Sequence, residues 1–321
     1  MSTQRIKPLL IGAAGCISLM FFTTPNYGAN IVIGGNYTDI GTIIFVAPNP
    51  GDLPTTAGTA LRNTLDGIID NSATNPYLIK LGPGIYDIGT SSLHMKEYVD
   101  IEGSGEKTTK ITGAVTHSGP PITNGTINGA SNAELRFLTV ENTGVGTYTV
   151  ALMNSSASPS ILHVTVSVSG GTTSSYGVLN VNSSPKMTNV TARASGGTPN
   201  NLGVYNTYSS PVMTNVTASG SGGFINYGVY NTTSSSPIMT NVTASGTGGT
   251  TGYGVFNRTS GTIKINHSVI IGTTSTINNG TGVTTRVSNT QLDGGAVSNA
   301  GTLTCVGAYD ENYVALSTSC L

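Results

Sequence analysis

The chain has 321 residues with 13 basic and 14 acidic side chains, so only 8% of it is charged and its net charge is -1. That is about a third of the ~25% usual for globular proteins, and it offers no broad electropositive surface for the phosphates of a nucleic acid. With 37% hydrophobic residues and almost no net charge the chain is not of the disordered class, while 43 glycines and abundant Thr, Ser and Asn favour short strands and turns over helices.

Arg5 and Lys7 precede an apolar run from Leu9 to Phe22, followed by Pro25, Gly28 and Ala29. This is the pattern of a secretory signal peptide over residues 1–29, with cleavage after Ala29. The run is shorter than the ~20 residues a membrane-spanning helix needs, and no later stretch approaches that length. An uncleaved anchor is one alternative, and a lipoprotein signal at Ala13-Ala14-Gly15-Cys16 is another, although Ile17 to Phe22 carry the apolar run past the cysteine. The expected destination is outside the cell or on its surface. Cleavage after Ala29 would leave Cys305 and Cys320, an even pair suited to an oxidising compartment. Two free thiols are the other reading. A bridge would close a loop of about 16 residues and restrict the unfolded chain by ~3 kcal/mol. With neither a C-x-x-C motif nor a Cys/His cluster, the sequence indicates no structural zinc, and it gives no sign of another metal or a cofactor.

Residues 30–77 form an N-terminal segment. Within it Leu61, Leu65, Ile68 and Ile69 follow helical spacing behind Thr59 as N-cap, which predicts an amphipathic helix covering the start of the next unit.

That unit, residues 78–304, is repetitive. Ser184-Pro185-Lys186-Met187-Thr188-Asn189-Val190-Thr191-Ala192 returns from Ser210 to Ala218 and from Ser236 to Ala244, a period of 26. The same spacing connects Leu135, Ile161, Met187, Met213, Met239 and Ile265, and three places on Leu138, Val164, Val190, Val216 and Val242. A further row, Leu152, Val178, Val204, Val229 and Val255, is followed two residues later by Asn154, Asn180, Asn206, Asn231 and Asn257. Apolar stretches this short, broken by Gly, Ser-Pro and Asn, are strands rather than helices. The expectation is an all-β fold: a right-handed, single-stranded parallel β-helix, or solenoid, with an N-terminal capping helix. Each coil pairs with the next at ~4.8 Å, so like side chains stack in rows. Residues 305–321 would close the far end through the cysteine pair.

Asn189, Asn215 and Asn241 are read as a structural ladder, because Asn tolerates the left-handed conformation of a tight bend and stacked amides bond from coil to coil. They are expected to face inward, which argues against glycosylation of sequons such as Asn189-Val190-Thr191. His163 and His267 occupy the same row and are read as ladder terminators rather than as catalytic groups.

The entry segment Leu81-Gly82-Pro83-Gly84-Ile85-Tyr86-Asp87, with Val99-Asp100-Ile101-Glu102-Gly103-Ser104-Gly105, resembles the pectin-lyase-like superfamily of right-handed parallel β-helices, and most of all its bacterial secreted pectinesterase branch. The resemblance covers Leu61 to Cys305 and implies the same fold. For activity it would imply Q-D-T-L and D-F-I-F-G segments supplying two catalytic Asp residues, and neither string is present. The Asp-Asp pair and G-H-G of polygalacturonases, and the calcium ligands and Arg base of pectate lyases, are not recognisable either.

The residues themselves restrict the chemistry further. Between Glu141 and Asp293 there is no carboxylate, whereas glycoside chemistry needs two and calcium sites usually several. No G-x-S-x-G elbow is present to activate a serine. Asp87, Asp100, Glu102, Glu134 and Glu141 could form an acidic patch on the early coils, and are read mostly as solvated turn residues. If Val178 and Asn180 face inward, then Met153, Leu179, Tyr205, Tyr230 and Phe256 face outward. Tyr205, Tyr230 and Phe256 are the candidate ligand-binding residues, able to stack sugar rings; a self-packed external ladder or a patch covered by a partner is the alternative. The Thr188/Thr214/Thr240 and Thr191/Thr217/Thr243 rows would suit ice or another surface only if flat, and the Asn bend lies between them. The expected function is noncatalytic surface adhesion or binding of a polysaccharide or cell-surface glycan. The alternative is a pectinesterase- or lyase-type enzyme acting on a uronan.

Overall fold

The computed structural model describes residues 18–23, 29–34 and 41–321. Cys16 and most of the expected leader over residues 1–29 lie outside the described residues. Ser18–Thr23 pairs antiparallel with Ala29–Gly34, which pairs in turn with Thr42–Val46. From there on, almost every strand pairing is parallel, and each strand meets its equivalent one coil away. The molecule is a parallel β-solenoid with three walls.

The inner row of the first wall is Ile79, Ile101, Leu135, Ile161, Met187, Met213, Met239, Ile265, Val287 and Cys305, aligned residue on residue. This is the expected row, extended at both ends, where the coil length departs from the central period. On the second wall the row is Tyr86, Ile111, Val140, Val166, Ala192, Ala218, Ala244, Ile270 and Leu292. On the third it is Leu93, Ile127, Leu152, Val178, Val204, Val229, Val255 and Ile277. All these side chains are buried in one continuous core, where a Leu, Ile, Val or Met side chain contributes about 1.5–3 kcal/mol by leaving water.

Left-handed residues turn the chain between walls. Phe137, His163, Asn189, Asn215, Asn241, His267 and Asn289 all have positive φ and separate the first wall from the second. Where the inner Val row that ends at Val242 gives way to Ser268, the hydroxyl stays buried. It accepts the Val242 N–H at 3.0 Å and donates to the Asn266 carbonyl at 2.8 Å.

The helix spans Pro54–Gly67, earlier than expected. Leu53 is the N-cap, and Thr59 lies inside the helix, its hydroxyl donating back to Thr55 O at 2.8 Å. Pro54, with its fixed φ and no N–H to satisfy, starts the helix without a polar cap. Leu61 and Leu65 face the core, but Ile69 lies beyond the helix and is 88% exposed. Arg62 fastens the helix to the first coil through the carbonyls of Ser92, Ile88 and Ser91, at 2.7–3.0 Å. At the other end Cys305 and Cys320 are joined by a disulfide with Cα atoms 5.4 Å apart. No helix among the described residues is long and apolar enough to cross a membrane.

Candidate functional site

The aromatic candidates stand in register on the third wall: Leu179, Tyr205, Tyr230 and Phe256 are successive Cα partners. Tyr205 and Tyr230 meet edge to face with centroids 5.1 Å apart, and Tyr230 and Phe256 do so at 4.9 Å. A second aromatic row, absent from the expectation, runs beside them: Val150, Tyr176, Leu202, Tyr227 and Tyr253. Tyr227 stacks almost parallel on Tyr230 at 5.0 Å and on Tyr253 at 5.4 Å. The local signal was the recurring Tyr-Gly-Val-x-Asn of Tyr176, Tyr227 and Tyr253. Strict alternation would place these tyrosines inside with Val178, Val229 and Val255. The glycine that follows each of them breaks the alternation. A Cβ on Gly228, or on Gly203 after Leu202 of the same row, would collide with the backbone nitrogen of Ser245 or Ser219 on the second wall, so only glycine lets the walls approach there.

The two rows form a half-buried aromatic field over the later coils. Burial pushes the phenols of Tyr205 and Tyr227 up to about 12, so both remain neutral hydroxyls. Arg258 lies at the edge and donates to the Tyr230 hydroxyl at 3.4 Å. On earlier coils the outward row is covered: Met153 and Leu179 are buried with Val150, not exposed as expected. Residues 114–125 fold back over them, Thr116 and His117 pairing antiparallel with Thr149 and Tyr148, and Ile122 packing on the cluster.

The carboxylates of the early coils are not solvated turn residues. Asp100, Glu102, Glu134 and Glu141 lie in strands and are ion-paired. Arg136, largely buried, binds Asp100 at 3.1 Å, Glu102 at 2.9 Å and Glu134 at 2.6 Å, and Lys80 reaches Glu102 at 2.9 Å. Burial alone would raise the Glu102 carboxyl, but hydrogen bonds from Lys80 and Arg136 outweigh it and hold the group below its ordinary range. Burial would likewise lower Arg136, yet its carboxylate partners keep its pKa raised. An open groove beside this cluster is lined by Asp100, Asn132, Glu134, Ser158, Ser160 and Lys186. Asp87 instead closes a turn, accepting the Gly89 N–H at 2.9 Å. No group of three or more His, Cys, Asp or Glu side chains suited to a metal ion occurs among the described residues.

The Asn189 row lies on the outside of its bend, contrary to expectation, with Asn215 and Asn241 exposed. Its amides do bond coil to coil, Asn215 to Asn189 at 2.9 Å and Asn241 to Asn215 at 2.6 Å. The left-handed φ fixes the bend and directs these side chains to solvent, so inward orientation no longer argues against modification of the sequons. Asn189 Nδ2 meets His163 Nε2 at 2.9 Å, and the row continues past both histidines to Phe137, stacked on His163, and to Asn289. The buried ladder is the other one: Asn154, Asn180, Asn206, Asn231 and Asn257 are each linked to the next at 2.8 Å. Because the bend separates the two outward Thr rows, they do not share a plane.

No protein-family model matches the chain, and no curated protein matches it. Solved structures do resemble it. This is a parallel β-helix protein, similar to pectin methylesterases and alginate epimerases. Pectin methylesterase from Erwinia chrysanthemi is 12% identical, with 86% of this chain and 91% of that one covered and a TM-score of 0.44. A mannuronan C-5 epimerase A-module from Azotobacter vinelandii is 13% identical over 81% and 88% of the two chains, with a TM-score of 0.44. The pectin methylesterase from Yersinia enterocolitica is 12% identical over 79% and 91%, with a TM-score of 0.42. The architecture is read from the strand register of this chain, and its chemistry from the side chains described above.

Proposed function

We propose that the protein is an exported, noncatalytic β-helix that holds a polysaccharide or cell-surface glycan on its third wall. The carrying observation is the contiguous, half-exposed group of Tyr205, Tyr230 and Phe256 with Tyr227 and Tyr253. Aromatic faces stack on the C–H faces of sugar rings, and neutral Tyr hydroxyls with Arg258 supply hydrogen bonds around the ring edge. Because the rings brace one another, little side-chain entropy is lost on binding. In this reading residues 1–29 are the removed leader, 78–304 the binding rod and 305–321 its closed end.

The enzyme alternative is disfavoured by the same carboxylates that would have to perform it. Asp100, Glu102 and Glu134 share one guanidinium, and the lowered Glu102 carboxyl is a poor proton donor near neutral pH. The test is retention on a polysaccharide matrix by wild type and by the Tyr205→Ala/Tyr230→Ala double variant. At least tenfold weaker retention with an unchanged far-ultraviolet spectrum is expected; undiminished retention would remove the aromatic wall from the reading. Methanol release or unsaturated products from a pectin and uronan panel, abolished by Glu102→Gln, would instead establish the enzyme.

A further inference from the structure

The net charge of -1 conceals a segregation along the rod. Every carboxylate of the body lies before Asn142 or after Thr290, and the intervening coils carry Lys186, Arg193, Arg258, Lys264 and Arg286 with no acidic residue. On the outer face of the first wall three of these cations, Lys186, Lys264 and Arg286, fall into line. Lys186, Val212, Ile238, Lys264 and Arg286 are successive register partners. Lys264 and Arg286 are therefore directly opposed on adjacent coils, ~4.8 Å apart along the axis, and both are exposed. Like charges placed opposite each other destabilise a strand pair. Among the described residues neither has an ion-pair partner. Asp293, the next carboxylate, lies on the second wall beyond the Asn289 bend.

We propose that Lys264 and Arg286 form a binding site for a tetrahedral oxyanion, a phosphate or sulfate group, on the first wall. This goes beyond the glycan reading of the aromatic wall and does not depend on it. Strand alternation puts Thr262 and Thr284, themselves register partners, on the same outer face two residues before the cations, and Thr304 follows Arg286 on the next coil. The site thus combines an ammonium, a guanidinium and flanking hydroxyls. It presents more donors than the two oxygens of a carboxylate can use, and the positive charge a dianion would neutralise. The group would come either as free phosphate or as part of a linear polymer. A polymer lying along the rod would also reach Lys186, three coils from Lys264.

The experiment uses the whole protein at ~10 mM ionic strength, where the Debye length is ~30 Å. Inorganic phosphate is titrated by calorimetry into wild type, Lys264→Gln, Arg286→Gln and, as a control on the second wall, Arg193→Gln. Saturable binding by wild type and Arg193→Gln, weakened at least tenfold in the other two, supports the site. No saturation by wild type, or equal binding by all four, overturns it. In phosphate-free buffer Lys264→Gln and Arg286→Gln should melt no lower than wild type, because repulsion is relieved; a lower Tm contradicts the unpaired-charge premise. Polyphosphate binding more tightly than phosphate assigns the group to a polymer, and equal affinity per phosphate assigns it to the free ion. Polygalacturonate binding as tightly as polyphosphate overturns the preference for a tetrahedral group.

Discussion

Asn206 donates its side-chain Nδ2 to Asn231 Oδ1 at 2.8 Å, one coil further along a completely buried column of amides. It also accepts from Asn180 at the same distance, so each interior member serves as donor to one neighbour and acceptor to the other, whereas Asn154 at the head of the column only donates. Removing a member leaves a buried donor and a buried acceptor unpaired, and each costs about 1–3 kcal/mol.

Asn206→Ala should therefore lose about 2–5 kcal/mol in chemical denaturation. The exposed ladder should behave differently. Asn215→Ala places a Cβ-bearing residue without a compensating side-chain bond at φ 55° and should lose about 1–2 kcal/mol, while Asn215→Gly should be nearly neutral. Equal losses in both ladders would show that burial does not distinguish them.

Arg136→Gln removes the shared cation of Asp100, Glu102 and Glu134. The ion pairs are partly exposed, so the loss at neutral pH should be about 1–4 kcal/mol, between surface and buried pairs. The folded Glu102 carboxyl is lowered from 4.5, so its contribution is present above that value and is lost as pH falls through the folded pKa. Urea midpoints of variant and wild type should consequently converge in acid. A gap independent of pH would mean that Arg136 acts through packing.

The aromatic wall predicts the opposite limb. Tyr205 and Tyr227 titrate near 12 rather than 10, so the folded protein holds these protons more tightly than the unfolded chain does. Their contribution is complete below pH 10 and is lost as pH rises toward 12. Burial also raises the phenols of Tyr86 and Tyr176, and a hydrogen bond to Asp70 raises that of Tyr77, so Tyr205→Phe with Tyr227→Phe should remove two of the late-ionising phenols seen by ultraviolet titration and flatten the alkaline loss of stability.

Reduction of Cys305–Cys320, separated by 15 residues, should cost ~3 kcal/mol in the loop-entropy model. Coils contact mainly their neighbours, so the loss should be local. Hydrogen exchange should rise first over residues 302–321, with the buried Asn column still protected; uniform acceleration along the rod would indicate all-or-none unfolding.

Gly228→Ala should destabilise by about 1–3 kcal/mol through overpacking and displace Tyr227 and Tyr230, weakening their near-parallel stacking. Near-ultraviolet dichroism reads that displacement. An unchanged spectrum would detach the aromatic arrangement from the glycine column.

The period, the solenoid and most inner rows are legible in the amino-acid sequence. Met187, Met213 and Met239, or Val178, Val204 and Val229, recur at coil spacing because identical positions must fill the same core layer. The sequence also marked Tyr205, Tyr230 and Phe256 as outward. The remaining features depend on contacts between walls. Two Asn rows share one period, yet one is sealed in the core and the other stands outside a left-handed bend. Tyr176, Tyr227 and Tyr253 turn outward because close approach of the second wall at the glycines that follow them, Gly177, Gly228 and Gly254, overrides strand alternation. Likewise, the carboxylates of three separate strand positions acquire their character only when stacking brings them onto Arg136. Periodicity fixes which residues are equivalent, whereas the side of the wall they occupy is set by what packs across from them.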